Sequence, residues 1–87
     1  MNPTRAAIER RLDQRIRELA AVDPLDARFG PEVDLYNDGY VDSVGFVELV
    51  AHIEATFCVV VPEDALLSDD FGTVRGIARG IARLLAR

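Results

Sequence analysis

The chain has no lysine, and none of its ten basic residues, all arginine, lies between Phe29 and Val74. That stretch instead carries Glu32, Asp34, Asp38, Asp42, Glu48, Glu54, Glu63, Asp64, Asp69 and Asp70. The middle of the protein is therefore wholly acidic, and its ends are mixed or basic. Such a segment repels nucleic acid and attracts basic protein surfaces, where a plain solubilising surface is the simpler alternative. Cysteine is nearly absent as well. A single one excludes an internal disulfide framework and suggests a reducing compartment. No apolar run approaches the length of a bilayer crossing, and the N-terminus lacks the apolar centre of a signal peptide. The expectation is a cytoplasmic protein with no membrane or nucleic-acid partner.

What is present is apolar residue, 49% of an 87-residue chain. That is too much for a disordered chain of this charge, and enough for one domain, 1–87, around one modest core. Pro3-Thr4 offers a helix start, after which Ile8, Leu12, Ile16 and Leu19 recur at helical spacing. Asp23-Pro24 predicts an end near Val22. A long connection follows from Leu25 to Val41, with Gly30, Pro31 and Gly39. Connections this long are usually pinned or functional, and Leu25, Phe29, Val33 and Leu35 are the candidate pins.

A second helix is predicted from Ser43 to Phe57, with Val47, Val50, Ala51, Ile53 and Phe57 inward. Val44, Phe46, Leu49 and His52 are candidates for its outer face. The run Cys58-Val59-Val60-Val61-Pro62 reads as a strand in isolation. A lone strand leaves its backbone unpaired, so an extended connection is expected. Pro62-Glu63-Asp64 can open a short helix through Leu67. Ser68 to Gly72 reads as a turn, and Thr73 caps a last helix with Val74, Ile77, Ala78, Ile81, Leu84 and Leu85 on its apolar face. The predicted fold is all-α: a small bundle of three main helices plus one short helix.

The segment that points to function is Asp34-Leu35-Tyr36-Asn37-Asp38-Gly39-Tyr40-Val41-Asp42-Ser43-Val44-Gly45-Phe46-Val47-Glu48-Leu49. A polar loop ends in Asp-Ser and a helix begins at once. Ser43 thus offers a hydroxyl in a first helical turn, where free N–H groups and the positive dipole end favour an attached phosphate. Nothing nearby in sequence activates it as a nucleophile. An N-cap role is the rival, shared with Asp42, and both roles are compatible with attachment. A calcium loop counted from Asp34 fails, because its third position is Tyr36 and its twelfth is Gly45. A Ser43–His52 catalytic pair fails as well, since nine helical residues rise about 13 Å.

The remaining notable residues read more plainly. His52 suits a surface pair with Glu48, and Cys58 suits a small buried hydrophobe. Arg75, Arg79, Arg83 and Arg87 form a solubilising stripe at the C-terminal end of a helix dipole. Gly76 and Gly80 suit close helix packing.

Taken together, Asp34-Leu35, Gly39, Asp42-Ser43-Val44, Glu48-Leu49, Phe57, Val61-Pro62 and Thr73-Val74 resemble the acyl carrier protein family, which includes peptidyl and aminoacyl carriers. The resemblance runs from about Leu12 to Leu85. It implies a covalent 4′-phosphopantetheine on Ser43. It further implies that Asp42 supports the attachment motif and contacts the phosphopantetheinyl transferase through that enzyme's metal. The expectation is that the chain itself binds no metal and is not an enzyme. It is expected to be a monomer with Val44, Phe46 and Glu48 on its docking face. Val44-Gly45-Phe46 departs from the fatty-acid type of carrier, in which leucine and an acid follow the serine. That departure favours aminoacyl carriers of the peptidyl or D-alanyl kind. The implied function is a freestanding carrier of a thioester-bound carboxylic or amino acid, loaded by an ATP-dependent adenylating ligase and unloaded by a downstream acyl-accepting enzyme. The alternatives are a carrier of fatty-acid or polyketide synthesis, and an unmodified helical adaptor.

Overall fold

The computed structural model describes residues 2–86, whose regular elements are all helices, with no strand among them. Helix α1 spans Arg5–Leu19, α2 Ser43–Phe57, α3 Glu63–Leu66 and α4 Val74–Leu85. The turn expected at Ser68 to Gly72 is wound more tightly than that, into a 3₁₀ helix over Asp69–Gly72. The Ser68 hydroxyl accepts from the Asp70 N–H and starts it.

α1 begins where the Thr4 side chain accepts from the Ala7 N–H at 3.1 Å. Ile8, Leu12 and Ile16 lie four apart and are wholly buried. The helix stops at Leu19, earlier than the proline suggests. Ala21 takes a left-handed φ of 49°. Its N–H donates to the Glu18 carbonyl, and the Val22 N–H donates to the Arg17 carbonyl at 3.0 Å. That is a Schellman closure, and it satisfies the last carbonyls before Pro24 is reached.

α4 packs most extensively on α1 and on the 3₁₀ helix. Its buried face is Val74, Ile77, Ala78 and Ile81, as its one-sided sequence predicts. The two glycines let the 3₁₀ helix approach. A Cβ on Gly76 would overlap the Asp70 carbonyl, and one on Gly80 would lie 2.9 Å from the Phe71 ring.

α2 is apolar on nearly every side, so its sequence does not fix its rotation. The structure buries Leu49, Ile53 and Phe57, four apart, with Phe46 partly buried beside them. Val47 and Ala51, expected inside, are exposed, and Leu49, expected outside, is only 1% exposed. After α2 the chain turns through Cys58 at a left-handed φ of 54°. This turn carries the thiol outward, so Cys58 is exposed rather than buried. Residues 59–62 form neither helix nor strand, and Pro62 at their end is extended, in keeping with the expected connection. The Val61 N–H finds its acceptor in the Glu54 carboxylate at 2.9 Å, in place of a partner strand.

The long connection is pinned at Phe29, Val33 and Leu35, which join the core. Leu25, the fourth expected pin, is 89% exposed. It sits in the tight turn at Asp23, whose side chain accepts the Leu25 N–H, and this holds the residue away from the helices. Phe29 is clasped by the Arg17 guanidinium, 4.7 Å from its centroid, and by the Tyr40 ring, edge-on at 5.1 Å. The Tyr40 hydroxyl donates to Asp26 at 2.7 Å. That bond is the main reason the Asp26 carboxyl is held below its ordinary range and the Tyr40 phenol above its own.

Gly76→Ala tests the close approach. Alanine gains up to about 1 kcal/mol in helix propensity, but its methyl meets backbone, which cannot swing aside. We expect a net loss of about 1–3 kcal/mol in urea unfolding. Gly30→Ala, where no atom lies within 4 Å, serves as the control and should be close to neutral.

Candidate functional site

The site is the junction of the long connection with α2. Asp34 organises the last turn of the connection. Its Oδ1 accepts from the N–H groups of Asn37 and Tyr36 at 2.9 and 3.2 Å, and its Oδ2 from the Asn37 side chain at 2.8 Å. The Asn37 bonds, backbone first, hold the Asp34 carboxyl below its ordinary range. Asp38 closes the loop by accepting the Asp34 N–H. Gly39, at φ +84°, supplies the left-handed turn that sends the chain back. Leu35 is buried, donates its N–H to the Gly72 carbonyl at 2.8 Å, and accepts at its own carbonyl from Tyr40 and Val41 at 2.9 Å each.

Asp42, not Ser43, is the N-cap of α2. Its Oδ1 accepts the Gly45 N–H at 2.7 Å, and its carbonyl accepts from Phe46. Ser43 is the first helical residue and is exposed. Its Oγ is 3.1 Å from the Tyr36 hydroxyl. Gly45 is closely packed: a Cβ there would lie 3.2 Å from Asp42 Oδ1 and 3.3 Å from the Leu19 side chain.

Of the expected docking residues, Val44 and Glu48 are exposed and Phe46 is half-buried. Phe46 lines a groove of about 440 Å³ beside the site, with Tyr36, Leu49, Leu66, Leu67 and Phe71. Sequence reasoning missed Tyr36 and Val47. The Tyr36–Ser43 contact depends on a loop turn that carries no periodic signal, and Val47 was lost to the wrong rotation of α2.

His52 stands apart from Ser43. Its ring lies 3.3 Å from the Thr56 hydroxyl rather than against Glu48. One helical turn is available in either direction, and the half-buried Thr56 offers the better hydrogen-bond partner while Glu48 stays solvated. Arg11, Gln14, Arg15 and Glu18 of α1 line the same furrow. The arginine stripe of α4 is committed to acids. Arg75 pairs with Glu32 at 2.9 Å and with Glu9 at 3.6 Å, while Arg79 and Arg83 flank Asp70 at 3.2 and 3.5 Å. Arg87, the last member of that stripe, lies outside the described residues.

A family described as "Phosphopantetheine attachment site" matches residues 7–81, and the chain belongs to it. Similar proteins include the D-alanyl carrier proteins of Streptococcus pyogenes serotype M5 (strain Manfredo), serotype M49 (strain NZ131) and serotype M1. Each is 41% identical over 51 residues, which is 59% of this chain and 65% of the relative. The match thus spans less than two-thirds of those relatives' length. No solved structure matches the chain. The kinship with acyl carrier proteins read from the motifs holds, and the group this family carries is a covalent 4′-phosphopantetheine.

The packing around His52 gives a pH prediction. Burial first, then the Arg15 charge, lowers its pKa below the ordinary 6.5, with Arg11 adding to this and Glu18 opposing it. The folded state therefore binds this proton less readily than the unfolded state. His52 costs stability as pH falls through the unfolded value of about 6.5. Proton NMR titration of this single histidine should give a midpoint below 6.5, and Arg15→Gln should raise it. A midpoint at or above 6.5 would contradict the cause assigned.

Proposed function

We propose that Ser43 is the attachment point of the phosphopantetheine arm, and that the chain carries a carboxylic or amino acid on it between enzymes. The observation that carries this is an exposed hydroxyl on the first residue of α2, next to a capping aspartate and inside the family match. The residues fit the group. The Asp42 cap takes the N–H of Gly45, which leaves the first-turn N–H groups of Ser43 and Val44 for a phosphate oxygen. The Ser43 hydroxyl is engaged only by another hydroxyl among the described residues, so a transferase can reach it.

The arm's terminal thiol supplies the thioester chemistry when it is bound. This chain contributes position rather than catalysis: the one histidine lies nine residues along α2 and faces Thr56. An amino acid is the favoured cargo, because the similar proteins are named D-alanyl carriers. A separate ATP-dependent adenylating ligase would load it, and an acyl-accepting enzyme would unload it. Val44, Phe46 and Glu48, with Val47 added, form the proposed docking face. Val44 and Val47 are 68% and 70% exposed on the first turns of α2.

Incubation with a broad-specificity phosphopantetheinyl transferase and coenzyme A should add one arm to the wild type and none to Ser43→Ala, read by intact mass. An unmodified wild type, alongside a control carrier that is modified, would leave the helical adaptor as the better description. Loading of the holo-protein by an adenylating ligase, against malonylation by a fatty-acid transferase, separates the two carrier classes.

For the docking face, Val47→Asp is a cleaner probe than Phe46→Ala, because Phe46 packs against the core. Val47→Asp should leave the circular dichroism spectrum unchanged. It should slow ligase loading by about 5–30-fold, the equivalent of about 1–2 kcal/mol at a modest hot spot. Unaltered loading kinetics would move the docking face elsewhere.

A further inference from the structure

We propose that Tyr36 positions the root of the arm, its phenol donating a hydrogen bond to the phosphodiester that Ser43 bears. The proposal rests on attachment at Ser43. It starts from the 3.1 Å contact between the two hydroxyls, in which either oxygen can be the donor. Attachment removes that freedom. As Ser43 Oγ forms its bond to the phosphorus of coenzyme A, the bond from phosphorus to the departing nucleotide phosphate breaks, and the serine proton leaves with the transferase or solvent. Oγ is then an ester oxygen with no hydrogen. The only proton left in the pair is on Tyr36, so the phenol becomes the donor, available to the anionic oxygens of a phosphodiester borne by the neighbouring Ser43 Oγ. A hydrogen bond to an anion is stronger than the neutral one it replaces.

The surroundings make this donor matter. No arginine or lysine lies between Phe29 and Val74, and the one histidine there, His52, faces Thr56 farther along α2, while Asp34, Asp38 and Asp42 share the loop. Arg75, Arg79 and Arg83 are taken by Glu9, Glu32 and Asp70. A phosphate here is held by neutral donors, namely the first-turn N–H groups and the Tyr36 phenol. Tyr36 is also well placed to hold still. Its N–H is bound by Asp34, and its neighbour Leu35 is buried and makes three backbone bonds. A tyrosine has only two side-chain torsions to fix. Tyr36 lines the groove and is 57% exposed, and its hydroxyl lies beside the Ser43 oxygen from which the arm would extend.

The test compares apo and holo forms of wild type and Tyr36→Phe, each checked by intact mass. A wild type that takes no arm would count against attachment itself and is thereby distinguished from a failure of Tyr36. Both proteins should be modified, since phenylalanine keeps the ring. The substitution should then lower the melting temperature of the holo form more than that of the apo form, by roughly 4 °C, as expected from replacing an anionic rather than a neutral hydrogen bond. The ³¹P resonance of holo Tyr36→Phe should shift from the wild-type position toward that of the unfolded holo-protein in urea. Equal melting losses with an unmoved ³¹P resonance would overturn the proposal. So would a wild-type ³¹P resonance that is the same folded and in urea, a measurement that needs no variant.

Discussion

The backbone of Leu35 ties together everything the site needs. Its N–H reaches the Gly72 carbonyl of the 3₁₀ helix, and its carbonyl takes two N–H groups from residues 40 and 41. One buried residue therefore fastens the long connection to the front of α4 and sets where α2 begins. The bond to Gly72 in turn depends on the 3₁₀ helix lying close on α4, which Gly76 permits. A methyl group on α4 would thus be felt, through Asp70, Gly72 and Leu35, in the loop that presents Ser43. A second bond, from the Arg75 N–H to the Pro31 carbonyl, braces the same seam.

The sequence was most legible where one face of a helix is clearly apolar. In α1 and α4 the buried residues are those the spacing indicates, because charged residues occupy the other faces. In α2 the apolar residues go nearly all the way round, so two rotations fit the same letters. The one that wins puts Leu49 under the groove and leaves Val47 outside. The Asp-Ser motif was legible because capping chemistry is local. The Tyr36 hydroxyl was not, because its position follows from a turn closed by Asp34, Asp38 and Gly39 rather than from any repeat. Cys58 was misplaced for a similar reason: nothing in the run Phe57-Cys58-Val59 announces a left-handed residue.

Charge is arranged by segment, and the fold uses that arrangement twice. The arginines of α4 are drawn onto Glu9, Glu32 and Asp70, so the basic end of the chain is largely neutralised internally. The acids around Ser43 have no such partners within the segment. Their oxygens are spent on N–H groups of the loop and the helix cap. A basic protein surface approaching this end meets carboxylates that are already fixed in place, with the exposed valines of α2 beside them.

The exposed Cys58 has a bearing on how this protein is handled. It follows the last residue of α2, whereas Ser43 is the first, so about 22 Å of helix separates the two. With the arm attached at Ser43 as proposed, the molecule presents two accessible thiols of different origin. A maleimide or disulfide reagent aimed at the arm will also mark the far end of the helix. Oxidation in air can join two molecules through Cys58 and give a covalent dimer that owes nothing to the carrier chemistry.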